Sequence, residues 1–289
     1  MTTVDKIVSL IRETSSSLPA DVERVLRRRL AAERRAGHAA AALNLSTILE
    51  NVRLARTRRT PLCQDTGTLT FFVDARLRRR ATPRAIAAAV ARATELGCLR
   101  RNCIDAVTGR SHDDNCAVGA PVVHYVEGGS DAACGRGEIT LVMKGGGSEN
   151  MSRQYSLPDA ALGAGRDLAG VRRCLLDAVV KAQGFGCAPG VLGVCIGGDR
   201  ATGYEVAKRQ LLRPLDERPS AADATERTLR ALERRILREA NSLGIGPMGL
   251  GGGTTLLGVK IAARTRVPAS FFVTVAYMCW ATRRRTIVL

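Results

Sequence analysis

Apolar residues recur at helical spacing through the first 58 residues. Val4, Ile7, Val8 and Ile11 mark one face of a short amphipathic helix within Met1–Ser17. Val22, Val25, Leu26 and Leu30 mark a second helix, and Leu45, Ile48, Leu49 and Val52 a third. Pro61-Leu62-Cys63-Gln64-Asp65-Thr66-Gly67 then breaks the period with turn chemistry. Leu69–Val73 reads as a buried strand, and Pro83–Leu96 as an Ala-rich helix capped by Thr82 with Pro83 at its first position. Asn102–Asn115 is polar and without period, which predicts a loop. Pro121–Val126 and Glu138–Lys144 read as strands joined by a Gly-rich connection, hence as an antiparallel pair.

The second half continues in the same manner. Helices are predicted over Val171–Gln183, Tyr204–Leu212 and Ala221–Ser242, the last two separated by Pro214 and Pro219. Strands are predicted over Gly190–Ile196, Leu256–Ile261 and Ser270–Ala276. No internal repeat or low-complexity linker divides the chain. The expected architecture is α+β: one compact domain over residues 1–289, with a helical N-terminal lobe over 1–58 and a mixed or antiparallel sheet.

Composition narrows the function classes. The hydrophobic fraction of 45% suits a packed core. The net charge of +17 would fit a polyanion partner, but only 3% of residues are aromatic, which leaves few platforms for stacking bases. Of the 44 basic residues, 39 are Arg, spread along the whole chain, so the charge reads first as a compositional habit. The triplets Arg27–Arg29, Arg78–Arg80 and Arg283–Arg285 read as solvated faces. A basic nucleic-acid-binding protein is the alternative of a different class, carried by charge alone. The sequence shows no signal-peptide pattern and no apolar run of the roughly 20 residues that span a bilayer. The expectation is a cytoplasmic protein with no membrane partner, whose nine cysteines are reduced rather than paired.

The candidate chemistry lies in glycines and cysteines. Gly-rich stretches recur beside polar or Cys residues without matching any phosphate-binding motif, which favours a ligand-lined cavity. No two cysteines show Cys-x-x-Cys spacing, so a zinc ribbon or ferredoxin motif is not expected. Cys98, Cys174 and Cys195 fall inside apolar patterns and read as small hydrophobes, while Cys103, Cys116 and Cys134 fall in presumed loops. Cys63, Cys187 and Cys279 each sit where a regular element meets a turn; on spacing alone a buried structural thiol is the simpler reading of each. Among the histidines, His112 lies in the polar loop within reach of a ligand, whereas His38 and His124 read as structural.

Five stretches, in order, change that reading. They are Pro61–Gly67, Lys144-Gly-Gly-Gly-Ser-Glu-Asn150, Gly186-Cys-Ala-Pro-Gly-Val-Leu-Gly-Val-Cys-Ile-Gly-Gly-Asp199, Leu243-Gly-Ile-Gly-Pro-Met-Gly-Leu-Gly-Gly252, and Pro268–Phe272 with Tyr277-Met-Cys-Trp-Ala281. Together they resemble the α-subunit, or N-terminal domain, of class I [4Fe–4S] fumarate hydratases, with tartrate dehydratase α-subunits as relatives. The resemblance implies an iron–sulfur hydro-lyase of the α type that hydrates fumarate reversibly to (S)-malate, or as an alternative acts on L-tartrate. It implies that Cys63, Cys187 and Cys279 ligate a [4Fe–4S] cluster and leave one iron open as a Lewis acid. It assigns the acid–base step to Asp65 and substrate contacts to Gln64, Arg100 and Gly146, with Arg101 the alternative to Arg100. Longer family members carry a C-terminal domain with a catalytic Thr and further Arg and Lys contacts. This sequence resembles the split form, so a separate β-subunit is expected to bring those groups, in an α2β2 assembly. Gly253 stands where relatives often show Lys.

Overall fold

A computed structural model describes residues 1–127, 134–217 and 223–289. Three helices open the chain: α1 (Thr3–Ser16), α2 (Ala20–Arg35) and α3 (Ala39–Arg58). There follow β1 (Thr68–Asp74), α4 (Pro83–Glu95), β2 (Cys103–Ile104), β3 (Ser111–His112), β4 (Val122–Val126) and β5 (Glu138–Lys144). Next come α5 (Gly146–Asn150), β6 (Arg153–Ser156), α6 (Leu168–Ala182), β7 (Gly190–Ile196), α7 (Arg200–Gln210) and α8 (Ala224–Ser242). The strands β8 (Leu256–Ala263), β9 (Phe272–Met278) and β10 (Arg283–Val288) complete the order. The α+β class is as the pattern of apolar positions implies.

The chain forms two compact units. The first comprises residues 1–19, 49–146 and 281–289, the second residues 20–48 and 147–280. The three N-terminal helices thus divide between the units: α1 belongs to the first, α2 to the second, and α3 contributes to both.

In the first unit a four-stranded sheet runs in the order β10-β5-β1-β4. β1 is antiparallel to β5 and parallel to β4, and β10 is antiparallel to β5. The Gly-rich hairpin expected between Pro121–Val126 and Glu138–Lys144 is therefore not formed. β1 lies between those two strands, because its run Leu69–Val73 is mostly apolar and takes the central place that buries both of its faces. The connection itself includes residues 128–133, outside the described residues.

One face of this sheet carries Leu69, Phe71, Val73, Ile139, Leu141 and Met143, packed on Ile7, Leu10 and Ile11 of α1 and Ile86, Ala89 and Val90 of α4. α1 is fixed at its start by a capping box in which Thr2 Oγ1 accepts from Asp5 N at 3.1 Å and Asp5 Oδ2 accepts from Thr2 N at 3.0 Å. α4 starts as expected, with Thr82 Oγ1 accepting from Ala85 N. Phe71 is fully buried, and truncating such a ring to Ala costs about 3–5 kcal/mol.

Two local expectations need correcting here. Asn102–Asn115 is not loop alone: β2 and β3 pair as a small hairpin closed by Asp105, whose carboxylate accepts from Val107 N and Thr108 N. The triplet Arg283–Arg285 is not a solvated face but the start of β10, and Arg283 is buried. Pairing with the apolar strand β5 places alternate residues of β10 over the core.

In the second unit the sheet order is β6-β9-β7-β8, with β9 antiparallel to both β6 and β7, and β8 parallel to β7. Each of the two main sheets thus follows one rule of direction, two antiparallel neighbours and then a parallel one. β7 is buried along its whole length. It packs with Val171, Leu175 and Val179 of α6 and Ile236 and Ala240 of α8 in one core. α7 begins at Arg200 rather than at Tyr204, because Asp199 caps it by accepting from Ala201 N and Thr202 N. α8 begins at Ala224, capped by Asp223; Pro219 and the expected helical residues 221–222 lie outside the described residues. No helix among the described residues is long and apolar enough to cross a membrane.

Candidate functional site

In the first unit the turn Cys63–Gly67 enters β1, and its geometry follows from two residues. Gly67 has φ +72°, and a Cβ there would collide with the carbonyl of Lys144 at the end of β5. Only glycine meets both demands. Asp65 folds its carboxylate back over the turn: Oδ1 accepts from Gly67 N at 2.8 Å and from Asn102 Nδ2 at 3.1 Å. Its Oδ2 accepts from Gly146 N at 2.7 Å. One carboxylate thereby ties the cysteine turn to the triple-glycine turn and to the segment after α4. Cys63 is half-buried and Gln64 exposed.

The segment Arg100–Cys103 is held by a residue that the sequence reading passed over. Asn115 is buried, with φ +59°, and makes four hydrogen bonds through its side chain. Its Oδ1 accepts from Asn102 N at 2.9 Å and Cys103 N at 3.2 Å. Its Nδ2 donates to Thr94 Oγ1 at 3.0 Å and to Arg100 O at 3.0 Å. Thr66 Oγ1 donates to the same Arg100 carbonyl at 2.8 Å. The Arg100 backbone is thus pinned while its side chain is exposed, with no ion pair among the described residues. Arg101, the alternative, is paired with Asp113 at 3.3 Å. A cavity of about 260 Å³ opens here, lined by Asp65, Gly67, Asn102, Cys103, Asn115 and Gly146 among others. A buried Asn in the left-handed region was detectable only as one Asn in a polar run; nothing in the spacing marked it.

In the second unit two other expected residues come together. Trp280 N donates to the carbonyl of Cys187 at 3.2 Å, so the turn bearing Cys187 lies beside the end of β9 that bears Cys279. Cys187 is exposed and holds φ +51°, a conformation uncommon for a residue with a side chain. Glycines flank it for cause: a Cβ at Gly186 or Gly190 would strike the ring of Tyr277. Met248 N donates to Ala188 O at 2.9 Å, which brings the Gly-rich turn Pro247–Gly249 to the same place. Ser148 Oγ accepts from Cys279 N at 3.2 Å. Tyr277 is buried, and burial followed by the charges of Cys279 and Cys187 pushes its phenol far upward.

The remaining cysteines divide as their patterns imply. Burial pushes the thiol of Cys174 up to about 12 and that of Cys195 to about 11, which leaves little thiolate to bind metal. Cys116 is raised to about 11 by burial and then by Asp114, with its Sγ directed at Ala87 O. Cys98 and Cys134 are buried, and Cys103 is half-buried in β2 opposite His112. None of the nine cysteines forms a disulfide. His124 stacks on Phe72 at 5.3 Å, and His38 Nδ1 lies 2.6 Å from the buried carboxylate of Glu33, consistent with structural roles. Among the described residues, no three His, Cys, Asp or Glu side chains close on a single metal ion. A cubane cluster asks for something else, since each thiolate binds its own iron. The thiols at turn junctions have the chemistry such a ligand needs: Cys63 in the first unit, and Cys187 and Cys279 in the second, form no disulfide and are not enclosed in an apolar element.

Comparison with known proteins adds family information. Residues 4–288 match the family described as fumarate hydratase (Fumerase). A protein of Geobacillus stearothermophilus assigned as a class I fumarate hydratase is 46% identical over 285 residues, 97% of this chain and 53% of that protein. The chain thus spans about half of that relative's length. A Methanocaldococcus jannaschii protein assigned as L(+)-tartrate dehydratase subunit alpha is 32% identical over 286 residues, 97% of this chain and 95% of that one. The L(+)-tartrate dehydratase subunit alpha of Escherichia coli K12 is 29% identical over 248 residues, 84% and 77% of the two chains.

Proposed function

The chain belongs to the fumarate hydratase (Fumerase) family, and from that premise we propose that it is the cluster-binding part of a hydro-lyase that interconverts fumarate and (S)-malate. Cys63, Cys187 and Cys279 are the proposed holders of a [4Fe–4S] cluster. When bound, such a cluster supplies a Lewis-acidic iron without a protein ligand, able to polarise a hydroxyl or carboxylate. What supports the reading most is the meeting of the Cys187 and Cys279 segments through the Trp280 N–H and the Cys187 carbonyl, with Gly186 and Gly190 packed on Tyr277, between stretches far apart in sequence.

The remaining work falls to side chains of this chain. Arg100 presents an exposed guanidinium on a backbone fixed by Thr66 and Asn115, a fork suited to one carboxylate of a dicarboxylic acid. Asp65 holds its carboxylate at the edge of the cavity, and proton exchange with substrate at one of its oxygens is its proposed role. Hydration adds a hydroxyl to one alkene carbon and a proton to the other, so no electrons are transferred. The N–H of Gly146 is committed to Asp65, which makes Gly146 the orienter of that carboxylate. Gln64, exposed beside it, is free to donate to a substrate oxygen.

A partner supplies the rest in this reading. Relatives that match over 77–95% of their own length are named alpha subunits, and the proposed partner is a β-subunit in an α2β2 assembly. Those same relatives favour a second substrate, L(+)-tartrate, whose dehydration gives oxaloacetate. The test is anaerobic reconstitution with iron and sulfide, with partner subunit added. Fumarate absorbance from malate and oxaloacetate from L(+)-tartrate are then measured side by side. Faster turnover of malate supports the first reading, and faster turnover of tartrate the second. A cluster-loaded pair inactive on both ends the proposal.

A further inference from the structure

Arg283 is the bulkiest of the fully buried side chains among the described residues, with 2% of its surface exposed. Its Nε has no hydrogen-bond partner, and no ion pair or hydrogen bond engages its guanidinium among the described residues. Its neighbour on the same face of β10 is different: Arg285 pairs with Glu13 at 3.0 Å and with Ser17 Oγ at 3.1 Å. A guanidinium cannot shed its proton to escape burial. An uncompensated buried charge is strongly destabilising, so a negative group is called for.

Strand register says which end of the sheet needs it. Arg283 stands opposite Met143, which stands opposite Leu69. That is the end at which the turn Cys63–Gly67 enters β1 and β5 runs out into Gly145 and Gly146. The nearby carboxylate, Asp65, is directed at N–H groups of Gly67, Asn102 and Gly146.

We propose that Arg283 is the buried counter-charge of the anionic cluster that Cys63 helps to hold. It is a positioning residue that sets the centre's stability and reduction potential; this rests on the cluster-binding reading above. A [4Fe–4S] core on three thiolates carries net negative charge, and its potential responds to nearby charge and hydrogen bonds. Without the centre Arg283 is a liability, and with it an asset, so a neutral apolar replacement has opposite effects on the two forms.

The experiment compares wild type with Arg283→Met, each as full-length apoprotein and after anaerobic reconstitution. Thermal unfolding is measured on both forms. Iron and sulfide content and the cluster midpoint potential are measured on the loaded one. The Met variant is expected to melt above wild type as apoprotein and to gain less in melting temperature on loading. Its potential should move to more negative values, because a lost positive charge favours the oxidised cluster. Arg283→Lys, which keeps the charge, should restore the potential toward wild type. A Met variant whose apo form melts lower than wild type or fails to fold overturns the proposal, as does one whose loaded form titrates at the wild-type potential. Wild type that takes up no iron or sulfide instead overturns the cluster-binding reading, and this inference with it.

Discussion

Asp65 accepts the backbone N–H of Gly146 at 2.7 Å, across 81 residues of sequence. The bond makes the carboxylate part of the scaffold as well as a candidate for chemistry. Replacing Asp65 by Asn leaves a single acceptor oxygen for three donors and turns an amide N–H toward at least one of them. Hydrogen bonds to a charged acceptor contribute about 1.5–3 kcal/mol each, and Asp65→Asn is expected to lose about that much stability in urea unfolding. Proton transfer by a positioned group is worth roughly 100- to 10,000-fold, so turnover of the reconstituted enzyme should fall by at least about 100-fold. A variant with normal turnover would remove Asp65 from the acid–base role.

The ligand assignment makes a selective prediction. Ser at position 63, 187 or 279 should each abolish cluster uptake, read as iron and sulfide per chain. Ser at Cys98 or Cys174 should leave it intact, because those thiols sit in apolar packing of α4 and its exit and of α6. Full uptake by all five variants would defeat the assignment.

Arg100 and Arg101 separate on their surroundings. Arg101 has an exposed partner in Asp113, and surface pairs of that kind contribute about 0.2–1 kcal/mol. Arg101→Lys should therefore leave KM within about threefold of wild type, since ordinary surface changes stay within about 0.5 kcal/mol. Arg100→Lys loses the planar fork, and KM should rise about 10- to 100-fold, the equivalent of roughly 1.4–2.8 kcal/mol. Equal effects of the two substitutions would argue against Arg100 as the carboxylate contact.

Asn115 offers a test of positioning. Asn115→Ala leaves the N–H groups of Asn102 and Cys103 without their acceptor and asks Ala to hold φ +59°. Buried unsatisfied groups cost about 1–3 kcal/mol each, so a loss of about 3 kcal/mol or more is expected in chemical denaturation. Asn115→Gly relieves only the backbone part. It should recover a minor fraction, about 1 kcal/mol.

Acid stability should depend on Glu33. Burial raises its pKa, but donors outweigh this: Thr254 Oγ1, His38 and Gly253 N hold its carboxyl below the usual glutamate value of 4.5. The folded value lies below the unfolded one. The stabilisation is therefore complete above about 4.5 and is lost as pH falls through the folded value. In Glu33→Gln the acid limb of a melting-temperature profile below pH 4.5 should flatten. An unchanged limb would show that other carboxylates govern it.

Helix positions were readable from the sequence because their signals are local. Thr82 before Pro83 marks the start of α4 without reference to the rest of the chain. Strand neighbours were not readable. β4 and β5 look like hairpin partners only until β1, earlier in the chain, is seen to take the place between them. β10 went unrecognised because three arginines mask its alternation, and burial of Arg283 is decided by register with β5. The motif resemblance drew attention to Cys187 and Cys279, whose segments do meet. The residues that hold Arg100 in place, Thr66 and Asn115, carry no spacing signal; only their hydrogen bonds identify them.

The last strand of the first sheet has a consequence for biosynthesis. β5 is complete at Lys144, yet its partner β10 begins only at Arg283. While the ribosome makes the intervening stretch, Glu138–Lys144 has one row of backbone groups without a mate, on a largely apolar strand. Such an edge is a template for pairing with a neighbouring chain. The nascent polypeptide thus passes through a sticky interval that closes only when residues 283–288 emerge. A product cut before Arg283 is expected to accumulate in inclusion bodies rather than as a smaller folded protein.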